Sequence, residues 1–378
     1  MRIGIACHPT YGGSGAAATE LGRHLARRGH SVHIISTDRP FRLNRAAYQE
    51  NLYLHQVESV KYPVLKSELY TLSCSVKMAQ IVRDEGLDIL HSHYAVPYAV
   101  SAMLARQLCP ESGVKLVTTL HGTDITLVGS HPAFAPVVRM ALHHSDAVVS
   151  VSHWLSRETC RLFGLCESIR VIHNFVDTAE FRRRAESRCF RASLARPEEK
   201  VVLHISNFRP VKRTADVVRV FRRIVDEAPA VLLMVGDGPD RDAAHILSHE
   251  LGVGERVHFL GLQDDIAGFL ATGDLLLFPS EYESFGLAVL EAMASEVPVV
   301  CSNGGGLPEV MAQGETGYMC PVGDVEEMAA RAVEILRDSE KARRMGQAGR
   351  ARAEERFNPE QALEAHEELY ESLFRAGT

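Results

Sequence analysis

Ile3-Gly4-Ile5-Ala6-Cys7-His8-Pro9-Thr10-Tyr11-Gly12-Gly13-Ser14-Gly15-Ala16-Ala17-Ala18 decides the fold. Five apolar residues run without alternation, as in a strand buried on both faces. A polar, glycine-rich turn follows. Then small residues open a helical pattern, Ala16–Gly29, and a second apolar run, Val32–Ser36, reads as the next strand. This is the opening of a β-α-β unit, with a helix N-terminus at the carboxyl end of the first strand.

The pattern continues outward from this stretch. Helices are expected at Ser75–Glu85 and Val100–Leu108, and strands at Ile89–His93, Lys115–Leu120 and Ala147–Val151. After Asn174 the chain turns polar and charged from Arg182 to Lys200, which reads as an interdomain or surface segment. The alternation then restarts. Strands are expected at Val201–Ile205, Ala230–Val235, Val257–Leu260, Leu275–Phe278 and Val297–Cys301. Helices are expected at Thr214–Asp226, Asp240–Leu251, Gly286–Ala294, Val325–Glu355 and Pro359–Phe374, with Gly314–Gly317 as a turn. The fold class is α/β, with two doubly wound units. Open parallel sheets bind ligands at the carboxyl ends of their strands, so two such units imply a central cleft walled by both.

Composition sets limits on function. The chain has 378 residues, 46% hydrophobic and 24% charged, with a formal net charge of −7. That suits two or three globular domains. It disfavours nucleic acid and anionic membrane as partners, because no global positive field exists. No run of 18 apolar residues occurs, and the first apolar run is too short for a signal-peptide core, so a cytoplasmic location is expected. The eight cysteines are scattered without a C-x-x-C pair, which reads as reduced, mostly buried thiols. His91 and His93 share one strand face, but no third metal ligand stands near them in sequence.

Four strand-end loops carry chemistry. Gly12-Gly13-Ser14-Gly15 presents unpaired helix-start amides suited to an anion. Gly13-Ser14-Gly15-Ala16-Ala17-Ala18 also matches G-x-G-x-x-A, with Asp38 placed for a ribose, so an NAD-dependent oxidoreductase is one alternative. His121-Gly122-Thr123-Asp124 follows the strand expected at Lys115–Leu120 and sets a polar cluster at its carboxyl end. Arg209 and Lys212 lie in the loop after Val201–Ile205 and are suited to a diphosphate, Arg as a fork and Lys as a point charge. Glu283 and Glu291 flank Ser284-Phe285-Gly286-Leu287, where the amides of another helix start would meet an anion. The single D-x-D, Asp240-Arg241-Asp242, opens a helix, where acids favour the dipole, so no metal is expected.

Glu283 and Glu291, with Phe285-Gly286 between them, resemble the E-x7-E motif of retaining GT-B glycosyltransferases. Val235-Gly236-Asp237-Gly238-Pro239 is similar to their V-G-D-G-P turn, and Arg209 and Lys212 to their diphosphate clamp, with Asn207 standing where many members carry the Arg. More narrowly, Pro9–Gly15, Pro40–Asn44, His93–Pro97 and His121–Thr126 resemble the N-acetylglucosaminyl-L-malate synthase family of bacillithiol biosynthesis. The resemblance implies GT-B architecture: an acceptor-binding domain, 1–173 plus a returning helix 357–378, and a nucleotide-sugar domain, 174–356. It implies retaining transfer of N-acetylglucosamine from UDP-GlcNAc to L-malate, without cofactor or metal, in a possible homodimer. His121 and Glu283 would be catalytic and orient the sugar. Gly13, Arg209, Lys212, Phe285, Gly286, Leu287 and Glu291 would hold the donor. Ser14, Tyr94 and Thr123 would hold the acceptor. Another acceptor in the same fold, such as inositol phosphate or a lipid, is the other alternative.

Overall fold

The computed structural model describes residues 1–10, 12–43, 49–59, 69–165, 169–184 and 187–375. Tyr11 and Asn44, named above, and Cys166, one of the eight cysteines, lie outside the described residues. The chain divides into two compact units, Met1–His173 with Glu360–Thr378, and Asn174–Pro359.

The first unit holds strands β1 (Arg2–Ala6), β2 (Ser31–Ser36), β3 (Leu52–Gln56), β4 (Ile89–His93), β5 (Lys115–Leu120), β6 (Ala147–Ser150) and β7 (Ile169–Val171). They pair in parallel in the order β3-β2-β1-β4-β5-β6-β7. The second unit holds β8 (Lys200–Ile205), β9 (Ala230–Val235), β10 (Val257–Gly261), β11 (Leu275–Phe278), β12 (Val299–Ser302) and β13 (Gly317–Cys320). Their order is β10-β9-β8-β11-β12-β13, again all parallel. The unbroken apolar runs have the expected cause: every residue of β9 and of β11 is buried.

The strand orders locate the ligand crevices. In the first sheet the chain steps outward from β1 to β3, then returns to β4 on the other side of β1. In the second it does the same around β8 and β11. Helices leave such neighbouring strands toward opposite faces, which opens a crevice at their carboxyl ends. The loops after β1, β4, β8 and β11 border these two switch points. Those after β1, β8 and β11 are among the four that the sequence marks as chemical, and the fourth, His121–Asp124, follows β5, next to β4 in the sheet.

Several elements depart from the sequence reading. Strands β3 and β7 escape it because they are edge strands, with exposed positions and a weak apolar signal. Gly314–Gly317 is a turn that runs straight into the edge strand β13. The long helix expected over Val325–Glu355 is two, Val325–Arg337 and Ser339–Arg356. Asp338 interrupts it and caps the second, accepting from Lys341 N at 2.9 Å.

The charged segment after Arg182 is a docked part of the second unit, with a short helix, Ser187–Ala192. Arg191 anchors it, donating to the carbonyls of Thr272 and Glu199 and pairing with Asp274 at 2.8 Å. Arg side chains that bond carbonyls leave no hydrophobic periodicity to read. Of the cysteines, Cys7, Cys74, Cys109, Cys301 and Cys320 are buried free thiols and Cys189 is an exposed one. Cys160 is instead disulfide-bonded, a link that scattered spacing does not announce.

The last helix, Pro359–Arg375, packs in the first unit from Glu360 onward. Tyr370 is fully buried, with its Oη 2.8 Å from His91 Nδ1. Arg28 pairs with Glu360 and Glu367 on the same helix. Phe357, where the return was expected to begin, stays with the second unit. Its ring meets Phe285 edge-on at 5.7 Å, and its carbonyl accepts from Val176 N at 3.0 Å.

Candidate active site

In the first unit three aromatic side chains converge at the ends of β1, β4 and β5. Tyr94 stacks on His121 with ring centroids 5.6 Å apart, and His8 meets Tyr94 edge-on at 5.2 Å. His121 Nε2 lies 2.9 Å from His93 Nδ1. Burial, with His8 adding a smaller push, lowers the His121 pKa to about 3, so the ring is neutral at physiological pH. Tyr94 holds φ at +101°, a conformation that costs a non-glycine residue free energy of order 1–3 kcal/mol. Its amide, donating to Thr119 O at 3.0 Å, helps to hold it there.

Asp124 organises this cluster from beneath. One carboxylate oxygen accepts from the amides of His121 (3.2 Å) and Gly122 (2.8 Å), the other from Ala95 (3.1 Å). Thus one fully buried side chain ties the loop after β5 to the loop after β4. Desolvation raises its pKa to about 6, outweighing the amide hydrogen bonds that pull the other way. The folded chain therefore binds more protons at Asp124 than the unfolded chain does. The stability this proton uptake provides is full below the ordinary value of 3.8 and is lost as pH rises through about 6. Asp124→Asn does not titrate. Denaturant unfolding of both proteins from pH 4 to 7 should show the wild type losing stability relative to the variant as pH rises. A pH-independent difference would contradict this assignment.

Ser14 and Thr123 sit in the first turns of the helices Gly13–Arg27 and Thr123–Thr126, both part-exposed. Gly13 is exposed at the start of the former, whose first turn has neither an acidic residue nor a capping side chain. Because Gly13 is already helical, the first glycine of the G-x-G-x-x-A match lies outside the tight turn that a dinucleotide fingerprint requires.

In the second unit the loops after β8 and β11 interlock. Lys212 Nζ lies 2.6 Å from Glu283 Oε1, both side chains nearly buried, and Lys212 also faces the Phe278 ring at 5.5 Å. Glu281 N donates to Val211 O at 2.8 Å. Arg209 Nε and Asn207 Oδ1 are buried without a hydrogen-bond partner among the described residues. A buried donor left unpaired costs about 1–3 kcal/mol, so such a group beside a switch point marks a place where a ligand completes the structure. Gly286 stands at φ +98°, and the helix Leu287–Ala294 begins after it, again with no capping side chain or acid in its first turn. Phe285 is buried, and its ring serves packing, so only its backbone is available to a ligand. Glu291 lies on the same helix, buried.

Glycines explain the sequence signatures here. A Cβ on Gly236 would overlap the carbonyl oxygen of Ser206, and one on Gly305 would overlap Glu283 O. The Val235–Pro239 turn therefore lies flat on the loop that carries Asn207 and Arg209. The run Gly304-Gly305-Gly306 lies flat on the loop that carries Glu283, with Gly306 N donating to Glu283 O at 2.7 Å.

Two family models match the chain, "Glycosyltransferase Family 4" over residues 11–180 and "Glycosyl transferases group 1" over residues 187–352. The N-acetyl-alpha-D-glucosaminyl L-malate synthase of Bacillus anthracis is 44% identical over 99% of this chain and 98% of its own. The chain belongs to that synthase family. It is a glycosyltransferase with two Rossmann-like parallel-sheet domains. A D-inositol 3-phosphate glycosyltransferase of Mycobacterium tuberculosis is 30% identical over 86% of this chain and 71% of its own. Among solved structures, Anabaena HepE in complex with UDP-glucose superposes with a TM-score of 0.84 at 20% identity, covering 98% of this chain and all of the other, a likeness of fold.

In this synthase-family chain the residues singled out from sequence fall into two groups. His121, Tyr94, Ser14, Thr123 and Gly13 border the β1/β4 switch point and the adjoining end of β5. Arg209, Lys212, Glu283, Phe285, Gly286, Leu287 and Glu291 border the β8/β11 switch point. The sequence reading missed four things. His8 immediately follows an apolar strand and was legible as a strand-end residue. The triple glycine 304–306 was legible as a backbone close approach. His93 as a partner of His121, and the orphaned Asn207, required coordinates.

Proposed function

We propose that the protein transfers N-acetylglucosamine from UDP-GlcNAc to the hydroxyl of L-malate with retention and without a metal. The 44% identity over nearly the full length of both chains carries this reading, against 30% for the inositol-phosphate enzyme. That relative is named for an alpha-D-glucosaminyl product, and UDP-GlcNAc is itself an α-glycoside, which supports a reading with retention.

The second unit would hold the donor. Arg209 and Lys212, with the amides of Phe285, Gly286 and Leu287, would stabilise the charge that grows on the departing diphosphate, where a metal would otherwise act. Gly13 would add its helix-start amide. Glu291 would accept from the ribose hydroxyls, and Glu283 and His121 would orient the sugar. The leaving phosphate would take the proton of the acceptor hydroxyl as the new bond forms on the same face. Ser14, Tyr94 and Thr123 would hold L-malate. A homodimer would accord with this reading but is not required by it.

His93 would be a positioning residue. A buried unpaired N–H is rarer than an unpaired acceptor. The orphaned His93 Nε2 is thus best a lone pair, with Nδ1–H donating to His121 Nε2. That leaves His121 Nδ1–H as a donor to the sugar. His93→Phe should lower kcat about tenfold with KM for UDP-GlcNAc little changed, and His93→Asn should restore part of the rate. Equal loss in both variants, or a change confined to KM, would defeat it.

The deciding experiment incubates the protein with UDP-GlcNAc and L-malate in a chelator and detects the product by mass, with its anomeric configuration read by NMR. An α-linked GlcNAc-malate is expected. UDP release with inositol phosphate but none with malate would reject the acceptor, and no product until a divalent metal is added would reject metal independence.

A further inference from the structure

At the outer edge of the first sheet, two imidazoles and a carboxylate face one another. His33 on β2 and His55 on β3 point to the same face of the sheet, since His33 pairs in register with Tyr53 and His55 is two residues on. Glu85 ends the helix Tyr70–Glu85. A ligand atom from each of the three lies within 4.8 Å of the others.

We infer that His33, His55 and Glu85 form a binding site for a borderline divalent transition-metal ion such as Zn2+. The donor set, two imidazoles and one carboxylate, is one that such ions take with a fourth position left to water. His33 Nδ1 and His55 Nε2 are 2.9 Å apart. Two nitrogens at about 2.05 Å from a tetrahedral ion stand about 3.3 Å apart, so the pair needs to open by only a few tenths of an ångström. The outer shell is in place. His33 Nε2 lies 3.0 Å from Ser31 Oγ, a hydroxyl that can accept the Nε2 proton and so accommodates the tautomer with an Nδ1 lone pair facing His55. Tyr53 and His55 both stack on His33, at 4.9 and 5.2 Å, and hold the ring plane.

Without an ion, the pair shares the His55 Nε2 proton. With one, neutral His55 carries that proton on Nδ1 instead, with no change of charge. His33 is buried, His55 half-buried and Glu85 exposed, so an ion enters from the Glu85 side. Arg2 donates to the Glu85 carbonyl at 3.0 Å, and the Glu85 carboxylate has no ion pair among the described residues. A bound ion would clip the edge strand β3 to β2 and to the end of the helix. The site sits on β2 and β3, to one side of the β1/β4 switch point, and shares no residue with the groups assigned to transfer, so it is structural and separate from that reaction.

The test uses the full chain without an affinity tag, stripped of metal, titrated with Co2+ and then Zn2+. Ligand-field absorption without a thiolate charge-transfer band separates this site from the free cysteines, of which Cys189 is exposed. One equivalent is expected at a Kd of about 10 μM or tighter. The unfolding midpoint should rise by roughly 5 °C at a hundredfold excess over Kd. His55→Ala and Glu85→Gln, at positions that are not buried, should each weaken binding at least about tenfold and remove most of that shift. No saturable binding in this range, a thiolate spectrum, or full binding retained in His55→Ala would overturn the proposal.

Discussion

Lys212→Ala should lower the transfer rate by about 10²–10³-fold, the range seen when one preorganised donor to a developing anion is removed. The effect is large for two reasons. The ammonium would face the leaving diphosphate, and in the resting chain it is the partner of Glu283 at 2.6 Å, with both side chains mostly out of water. Removing it leaves the Glu283 carboxylate without its cation, which disturbs a second functional group. The single losses should therefore not add. Glu283→Gln alone should also be severely impaired, and the double variant should be little worse than Lys212→Ala. Steady-state rates for the three proteins, with UDP affinity by calorimetry, check this. Additive losses would mean that the pair acts as two independent groups, and a Lys212→Ala rate within a few fold of wild type would remove Lys212 from the mechanism.

The second large effect involves no chemical group. Gly305→Ala should abolish most activity and destabilise the second unit by several kcal/mol. Its φ is +72°, and a Cβ would overlap Glu283 O while standing 2.6 Å from Glu283 N. Backbone is on both sides of the clash, so one loop must move. The loop that moves carries Glu283. Gly252→Ala is the matched control. Its φ is +69°, but no atom stands within 4 Å of the added carbon, so it should cost only the left-handed penalty of about 1–2 kcal/mol and leave the rate unchanged. Similar activity losses in the two variants would show that strain, rather than the close approach, matters.

The legible part of this chain is what parallel sheets impose on sequence. Strands covered on both faces, such as Ala230–Val235 and Leu275–Phe278, are continuous apolar runs, and their bounds coincide with the reading. Edge strands such as Leu52–Gln56 have one side toward water and lose that signal. Capping also hides. Asp338 splits a helix whose two halves carry one continuous polar pattern, and nothing but its geometry separates it from an ordinary surface acid.

The site divides along the same line. Motif residues at strand ends, among them Arg209, Lys212, Glu283 and His121, stand out because polar and glycine residues interrupt apolar runs. The contacts that tune them link distant positions. His93 with His121, Lys212 with Glu283, and Asp124 with Ala95 are set by which strands neighbour one another. Strand order is a long-range property, and no local pattern encodes it.

The returning helix has a consequence for how the molecule is made. The buried phenol of Tyr370 completes the pocket around His91, yet more than half of the chain, the whole of Asn174–Pro359 included, is translated between them. On the ribosome the second unit can fold as a contiguous segment as soon as it emerges. The first must wait with its histidine-lined sheet face uncovered until the final helix arrives. The N-terminal half is therefore the part of the nascent chain most exposed to chaperones and proteases, although it is synthesised first.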